Sequence, residues 1–184
     1  MDRAGTRADD GDVEARTRFE QSVRELVEPL RRFLARRTDV ATVDDVLAET
    51  LLVCWRRRDD LPDEPLPFAY GVARLCLANA ERSARRQRRL AGRIAAVDPP
   101  REAPDPVGDD LLAEAWARLA LDDAELLRLW AWEQLTPAEI ASVLEITPNA
   151  ASIRLHRAKQ KLRAELRKED GPAGHEDATE GGRR

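Results

Sequence analysis

The chain has 184 residues, of which 42% are hydrophobic and only 4% aromatic, and its formal net charge is −4. A core of Leu, Ala and Val is therefore available, and the acidic balance argues against a uniformly basic nucleic-acid-binding protein. No apolar run approaches the length of a membrane span and the charged N-terminus has no signal-like core, so we expect a cytoplasmic protein without membrane insertion. Because no alternating β-branched run occurs, the sequence predicts an all-α fold.

The N-terminal part predicts a short tail followed by a helix. Residues 1–15 are rich in Asp, Gly and Arg and have no periodicity, which predicts a disordered tail. Over residues 19–34 apolar side chains recur at helical spacing. Pro29 lies inside this pattern and should kink the helix or divide it in two.

Two further helices are predicted before residue 96. One begins near Val43, with Thr42 as its N-cap. Residues 59–67 contain three prolines and predict a loop. The next helix starts at Phe68 and is expected to end within an arginine cluster at 82–93.

The composition then changes and marks a boundary. Residues 97–110 contain four prolines with acidic residues and predict an extended linker. A second helical unit of three to four helices is predicted over 111–168, and 169–184 form a polar tail expected to be disordered. The sequence therefore predicts two small helical domains, 16–96 and 111–168, joined by a Pro-rich linker.

The end of the second unit has the pattern of a helix-turn-helix. Thr136 suits an N-cap, Pro137 the first helical position, and Glu139 completes a capping box. Thr147 and Pro148 start another helix in the same way after a short turn. In such a motif the start of the second helix faces the DNA major groove.

Basic residues are segregated into two patches despite the acidic total. Arginines crowd residues 82–93, and Arg and Lys recur over 154–168. Two basic patches separated by acidic stretches suit a protein that contacts a polyanion in two places. The alternative is that these arginines only solvate helix faces.

The sequence offers no pattern for metal or cofactor chemistry. Cys54 and Cys76 lie in apolar helical patterns and are interpreted as small buried thiols. His156 and His175 have no metal-ligand spacing with them. We therefore expect no metal and no cofactor. Without a nucleophile–base set or a glycine-rich phosphate loop, an enzyme is disfavoured.

These motifs together resemble the extracytoplasmic-function (ECF) sigma factors, the minimal members of the sigma-70 family. Residues 135–141 and 154–158 are similar to the family's region 4, residues 44–50 with 55–56 to region 2, and 68–74 to the start of the promoter-melting helix. The resemblance covers about 19–95 and 111–167. It implies a protein that binds core RNA polymerase, recognises promoter −35 and −10 elements and initiates transcription.

The resemblance also implies three sets of binding residues. In region 4, the −35 duplex would meet Thr147, Asn149, Ser152, Arg154, His156, Arg157 and Lys161. In region 2, the single-stranded −10 element would meet Leu66, Phe68, Tyr70, Arg74, Asn79, Arg82, Arg85 and Arg86. Core polymerase would meet Asp44, Asp45, Glu49, Trp55 and Arg56. The structural alternatives are helix capping for Asn149 and Ser152, and core packing for Phe68 and Tyr70; we expect Phe68 to pack inward.

Some positions depart from the family pattern. Ala48 stands where glutamine is usual and Leu75 where asparagine is frequent. Glu145 occupies the turn position often held by glycine, so the turn is expected to form without an easy left-handed backbone. Members of this family are commonly held by an anti-sigma factor, which is therefore an expected partner.

Two other functions fit part of the sequence. One is a helix-turn-helix transcriptional regulator that acts without polymerase, although residues 19–95 offer neither a ligand pocket nor a phospho-acceptor. The other is a degenerate sigma-like protein that sequesters a partner, to which the departures at Ala48 and Leu75 lend support.

Overall fold

The computed structural model describes residues 5–91 and 110–169. Within these two ranges the chain forms seven α-helices, one 3-10 helix and no strand, which confirms the all-α prediction. The elements are α1 (Gly5–Ala35), α2 (Val40–Arg56), the 3-10 helix (Arg58–Asp60), α3 (Pro65–Ala91), α4 (Asp110–Ala117), α5 (Leu121–Ala131), α6 (Pro137–Leu144) and α7 (Pro148–Glu169).

The first helix is longer than the sequence indicated. The prediction of a disordered tail is wrong for residues 5–15, which belong to α1, while residues 1–4 lie outside the described part. Extending a helix that is already nucleated costs less than starting one, and buried Leu26, Leu30 and Phe33 anchor it downstream. The same anchors lie on both sides of Pro29, so the helix is not divided there.

The start of α2 corrects the predicted N-cap. The cap is Asp39 and not Thr42, and the helix begins at Val40. The Asp39 carboxylate accepts hydrogen bonds from the Thr42 backbone N–H and hydroxyl, both at 3.1 Å. The bond from the Thr42 hydroxyl, and after it the bond from the backbone N–H, lower the pKa of Asp39 below its ordinary value. A carboxylate satisfies the free N–H groups of a first turn better than a Thr that lies inside that turn.

The proline-rich loop is shorter than predicted, and the helix after it is longer. Of the predicted loop 59–67, the first residues form the 3-10 helix and α3 begins at Pro65. Proline suits a first helical turn, where its missing N–H has no partner to lose. As predicted, α3 ends within the arginine cluster 82–93, at Ala91. Arginine is a good helix former, and this explains how far α3 reaches into the cluster.

The second unit consists of the four helices α4 to α7 within residues 110–169. Nearly all of the predicted linker, and residues 170–184 of the predicted C-terminal tail, lie outside the described residues. Buried Leu127, Ile140 and Leu155, from α5, α6 and α7, form the centre of this unit.

The two units pack against each other, which the sequence did not predict. Their buried residues form one continuous hydrophobic cluster. α3 of the first unit crosses α6 of the second at Gly71, where an added Cβ would lie 3.6 Å from the backbone oxygen of Val143. The two helix backbones therefore lie so close that a side chain larger than that of alanine at Gly71 would push them apart.

Candidate nucleic-acid interface

The predicted helix-turn-helix is formed by α6 and α7. The Thr136 hydroxyl accepts from the Glu139 N–H at 3.3 Å, and the Glu139 carboxylate accepts from the Thr136 N–H at 2.7 Å. This is the predicted capping box. At the start of α7 the Thr147 hydroxyl accepts from the Ala150 N–H at 3.2 Å, so the second predicted cap is also confirmed.

The turn between the two helices is made by a left-handed residue. Glu145 has φ 54° and ψ 43°, and its N–H donates to the carbonyls of Ala141 and Ser142. The expectation that this turn avoids the left-handed region is wrong. The capping bonds and the burial of Val143 beside it hold the glutamate in a conformation that costs an L-residue about 1–2 kcal/mol.

One face of α7 packs on the unit and the other is exposed. Ala151, Leu155 and Ala158 are buried, at the spacing of a single helical face. All seven residues predicted to contact the −35 duplex are exposed, namely Thr147, Asn149, Ser152, Arg154, His156, Arg157 and Lys161. His156 also lies beside Gln160, with 2.9 Å between its Nε2 and the amide nitrogen.

The cationic side chains of α7 differ in whether they contact a partner within the second unit. Lys161 forms an ion pair with Asp123 of α5, and the Lys159 ammonium lies 3.4 Å from the centre of the Trp130 ring. Arg154 and Arg157 have no ion-pair partner among residues 5–91 and 110–169. The uncompensated positive charge at the start of α7 thus comes from these two arginines.

The residues predicted for the −10 element are spread along α3. Arg74, Asn79, Arg82, Arg85 and Arg86 are exposed, Leu66 and Phe68 are half-buried, and Tyr70 is buried. Phe68 packs against the core as expected, with the Arg57 guanidinium 5.2 Å from its ring centre. Arg82 donates to the side-chain amide oxygen (Oδ1) of Asn79 at 2.7 Å.

Tyr70 is the residue whose position differs most from its predicted role. Only 3% of it is exposed, and its ring packs 4.9 Å from that of Phe33. Burial, followed by the nearby Glu133 carboxylate, raises the pKa of Tyr70 to about 12. In this arrangement its ring is not accessible for stacking on a base.

The residues predicted to contact polymerase lie on α2. Asp44, Asp45, Glu49 and Arg56 are exposed, while Trp55 is half-buried against Phe19, with 5.2 Å between ring centres. Asp44 already accepts from Arg31 at 2.6 Å. This exposed acidic face is therefore partly neutralised by α1.

Comparison with known proteins identifies the family. The family model "Sigma-70, region 4" matches residues 109–162, the unit that carries the helix-turn-helix. The ECF RNA polymerase sigma factor SigL of Mycobacterium tuberculosis is 30% identical over 145 residues, which cover 74% of this chain and 82% of that relative. The chain belongs to the ECF sigma factor family.

Solved structures share the fold of this sigma factor. The sigma factor RpoE, in complex with the anti-sigma factor NepR from Bartonella quintana, gives a TM-score of 0.59 at 18% identity, covering 81% of this chain and 96% of that one. CnrH, in complex with the cytosolic domain of CnrY, gives 0.52 at 23% identity, covering 82% and 88%. The PhyRSL–NepR complex of Sphingomonas sp. Fr1 gives 0.57 at 19% identity, covering 89% and 95%.

A charge cluster between the two units of this sigma factor was missed by the sequence prediction. Arg36 and Arg37 of the first unit meet Glu125 and Glu133 of the second. These partners are separated by about ninety residues or more, so no local periodicity signals their contact. The only local sign is a pair of arginines directly after the apolar end of α1.

The two cysteines of the chain lie in the core. Cys54 and Cys76 are free and buried, which confirms their interpretation as buried thiols, and burial raises the pKa of Cys54 to about 11. Among the described residues no group of His, Cys, Asp and Glu side chains is arranged to hold a metal ion. No helix within those ranges has the length and apolar character needed to cross a bilayer.

Proposed function

We propose that this ECF sigma factor binds core RNA polymerase, recognises promoter −35 and −10 elements and so initiates transcription. In this proposal α7 reads the −35 duplex, α3 and the segment before it hold the single-stranded −10 element, and the acidic face of α2 docks on polymerase. The role is that of a specificity subunit, and it uses no catalytic group of its own.

The observation that carries the proposal is the exposed face of α7. A helix-turn-helix with two intact caps presents its second helix with Asn149, Ser152 and Arg154 near its start. Such a helix enters a major groove with its N-terminal residues on base edges. Arg154 can pair bidentately with a guanine, whereas Arg157 one turn later suits a phosphate.

The proposed −10 surface combines arginines that would contact the DNA backbone with one half-buried aromatic residue, Phe68. Arg74 and Arg86 are exposed on α3 and have no ion-pair partner within the described residues. Phe68 is half-buried, so only part of its ring could stack on a base. Tyr70 would join it only after a rearrangement that uncovers α3.

An anti-sigma factor is the second proposed partner. The RpoE structure with the same fold is a complex with an anti-sigma factor, and CnrH is in complex with the cytosolic domain of CnrY. We propose that this chain is likewise held inactive by an anti-sigma factor, in the cytoplasm, where polymerase and promoter DNA are found.

The proposal is tested with purified protein and core polymerase. Gel filtration should show a stoichiometric complex with core. Run-off transcription of fragmented genomic DNA, with the 5′ ends of the transcripts sequenced, should reveal promoters that share two elements. Folded protein that does not bind core would exclude the proposal. Core binding without any promoter-specific transcript would instead favour a sigma-like protein that sequesters a partner.

A further inference from the structure

The contact between the two units is both close-packed and charged. At its apolar side, α3 and α6 meet backbone to backbone at Gly71 and Val143. At its charged side, Arg36 and Arg37, which directly follow α1, face Glu125 on α5 and Glu133 just after that helix. We name these four residues the interunit cluster.

Arg37 is the centre of the interunit cluster. Its guanidinium donates to the Glu133 carboxylate at 3.2 Å, to the Glu125 carboxylate at 3.1 Å, and to the Phe33 carbonyl at 2.9 Å. It also stacks over the Phe33 ring, 3.7 Å from its centre. With 8% of its side chain exposed, Arg37 has exchanged water for two carboxylates of the other unit.

Glu133 depends on the first unit for its charge compensation. Its side chain is only 2% exposed, and its two oxygens accept from Arg36 at 2.6 Å and from Arg37 at 3.2 Å. A buried carboxylate is tolerated only when its oxygens are paired, and a pair that loses one partner becomes strongly unfavourable. Separation of the units must therefore expose Glu133 to water at the same time.

The closed contact covers part of the surface proposed for DNA. Tyr70 is buried, and with Leu66 it lines a cleft of about 350 Å³ between the units, shared with Trp132 and Glu133. Tyr70 is thus turned toward the second unit, while Leu66 and Phe68 remain half-buried.

The closed protein is also too small to reach both promoter elements at once. Elements centred 35 and 10 base pairs upstream lie about 85 Å apart along duplex DNA, at about 3.4 Å per base pair. A compact body of the size of the described residues is only about 40 Å across. Both units cannot occupy their elements while they remain in contact.

We propose that the interunit cluster is a latch that keeps this sigma factor closed, and that its opening must precede occupancy of both promoter elements. The consequence for promoter binding rests on the proposed function, whereas the closed state itself is a property of the isolated chain. Closure hides Tyr70 near the start of α3, and release of Glu133 from Arg36 and Arg37 uncovers it.

The closed state is measurable with two spin labels on the full chain, introduced by Gln87→Cys and Ser142→Cys. Both positions are exposed, one on each unit, and the natural thiols are buried. Gln87 lies sixteen residues beyond the Gly71 crossing, which places the pair about 24 Å apart in the closed state before label length is added. Pulsed electron paramagnetic resonance should give one narrow distance for the otherwise unchanged protein. A broad, long distribution would overturn the proposal.

Two variants with matched controls test the latch. Gly71→Leu should wedge α3 from α6 and broaden the distance distribution, whereas Gly71→Ala, whose Cβ meets Val143 at ordinary contact distance, should not. Glu133→Gln should broaden it too, whereas Glu114→Gln removes the same charge from a pair inside the second unit and should not.

The rate of association with core polymerase distinguishes the latch proposal from the proposed function. If the latch controls opening, Glu133→Gln should associate with core several-fold faster than Glu114→Gln. Narrow distances in both Gly71→Leu and Glu133→Gln, with folding verified by circular dichroism, would show that the cluster is no latch. If the spin-label distances are as expected but no variant binds core, the proposed function is wrong, and so is the role of the latch in it. The closed state would still be established.

Discussion

The Lys159 ammonium lies over the ring of Trp130, 3.4 Å from its centre, and so connects α7 to α5. Trp130 is one of the few large exposed hydrophobic residues, with 43% of its surface accessible. A cation above an exposed indole contributes about 0.5–1 kcal/mol. This contact holds the proposed recognition helix on its unit through a charge that would otherwise be available to DNA.

We therefore expect Lys159→Met to lower the free energy of unfolding by about 0.5–1 kcal/mol, although the substitution keeps most of the aliphatic stem. Urea denaturation provides the measurement. Arg157→Met, on the same helix but without an ion-pair partner within residues 5–91 and 110–169, should change stability less. A double-mutant cycle with Trp130→Leu isolates the pair, and a coupling free energy near zero would mean that the contact is not stabilising.

The turn of the helix-turn-helix gives a prediction of opposite sign. Glu145 has φ 54°, where an L-residue is strained and glycine is not. Glu145→Gly should raise the free energy of unfolding by roughly 1 kcal/mol, while Glu145→Ala, which keeps the Cβ, should give no such gain. Gln134→Gly, at φ 57°, offers an independent second case. Destabilisation by both glycine substitutions would show that chain entropy in the unfolded state outweighs the strain.

The sequence predicted well wherever the decisive interactions are local. Thr136, Glu139 and Thr147 bond to groups three residues away, so their positions in the sequence were sufficient to locate both helix starts. The cap of α2 was misplaced because Asp39 and Thr42 are both suitable residues, and only the bond between them shows which one precedes the helix.

The sequence failed where a contact joins distant segments. Arg37 and Glu133 are 96 residues apart, and each alone resembles an ordinary surface charge. Tyr70 was a candidate for stacking on DNA because its aromatic ring and its position allowed it. Its ring packs on Phe33 of α1 and lines the cleft shared with the second unit, and no periodicity within α3 encodes these contacts.

Base recognition by α7 is tested by Arg154→Ala. If Arg154 pairs with a guanine, binding to the −35 duplex of a promoter found by run-off transcription should weaken by about 1–3 kcal/mol, with core binding little changed. Arg163→Ala is the matched control, because about two and a half turns put it on the opposite side of the same helix. Fluorescence anisotropy of labelled duplex measures both. Equal losses would mean that α7 contributes charge and no base recognition.

The cap of α2 should make stability depend on pH in the acidic range. Hydrogen bonds from Thr42 lower the pKa of Asp39, so the folded state favours the carboxylate. The resulting stabilisation is present above the ordinary carboxyl pKa of 3.8 and is lost as the pH falls through the lower, folded value. Asp39→Asn keeps a good cap and should abolish this component, whereas Asp39→Ala should lose the cap at every pH. Thermal unfolding between neutral and acidic pH distinguishes the three proteins, and identical pH profiles would refute the assignment.

Tyr70 provides a reporter of closure in the alkaline range, because it is the chain's only tyrosine. Burial first, and Glu133 second, raise its pKa from 10.0 to about 12. The folded state thus holds the phenol proton more tightly than the unfolded state. The corresponding stability is intact below pH 10 and is lost as the pH rises from 10.0 toward about 12.

Rapid-mixing absorbance of the phenolate, read before any alkaline unfolding, should therefore give a midpoint well above that of free tyrosine. Glu133→Gln should lower this midpoint for two reasons, since it removes the neighbouring negative charge and releases the cover of the second unit. Gly71→Leu leaves Glu133 in place and should lower it through exposure alone. Tyr70→Phe supplies the blank for both titrations, and an ordinary midpoint in the unmodified protein would mean that Tyr70 is exposed and the units are apart.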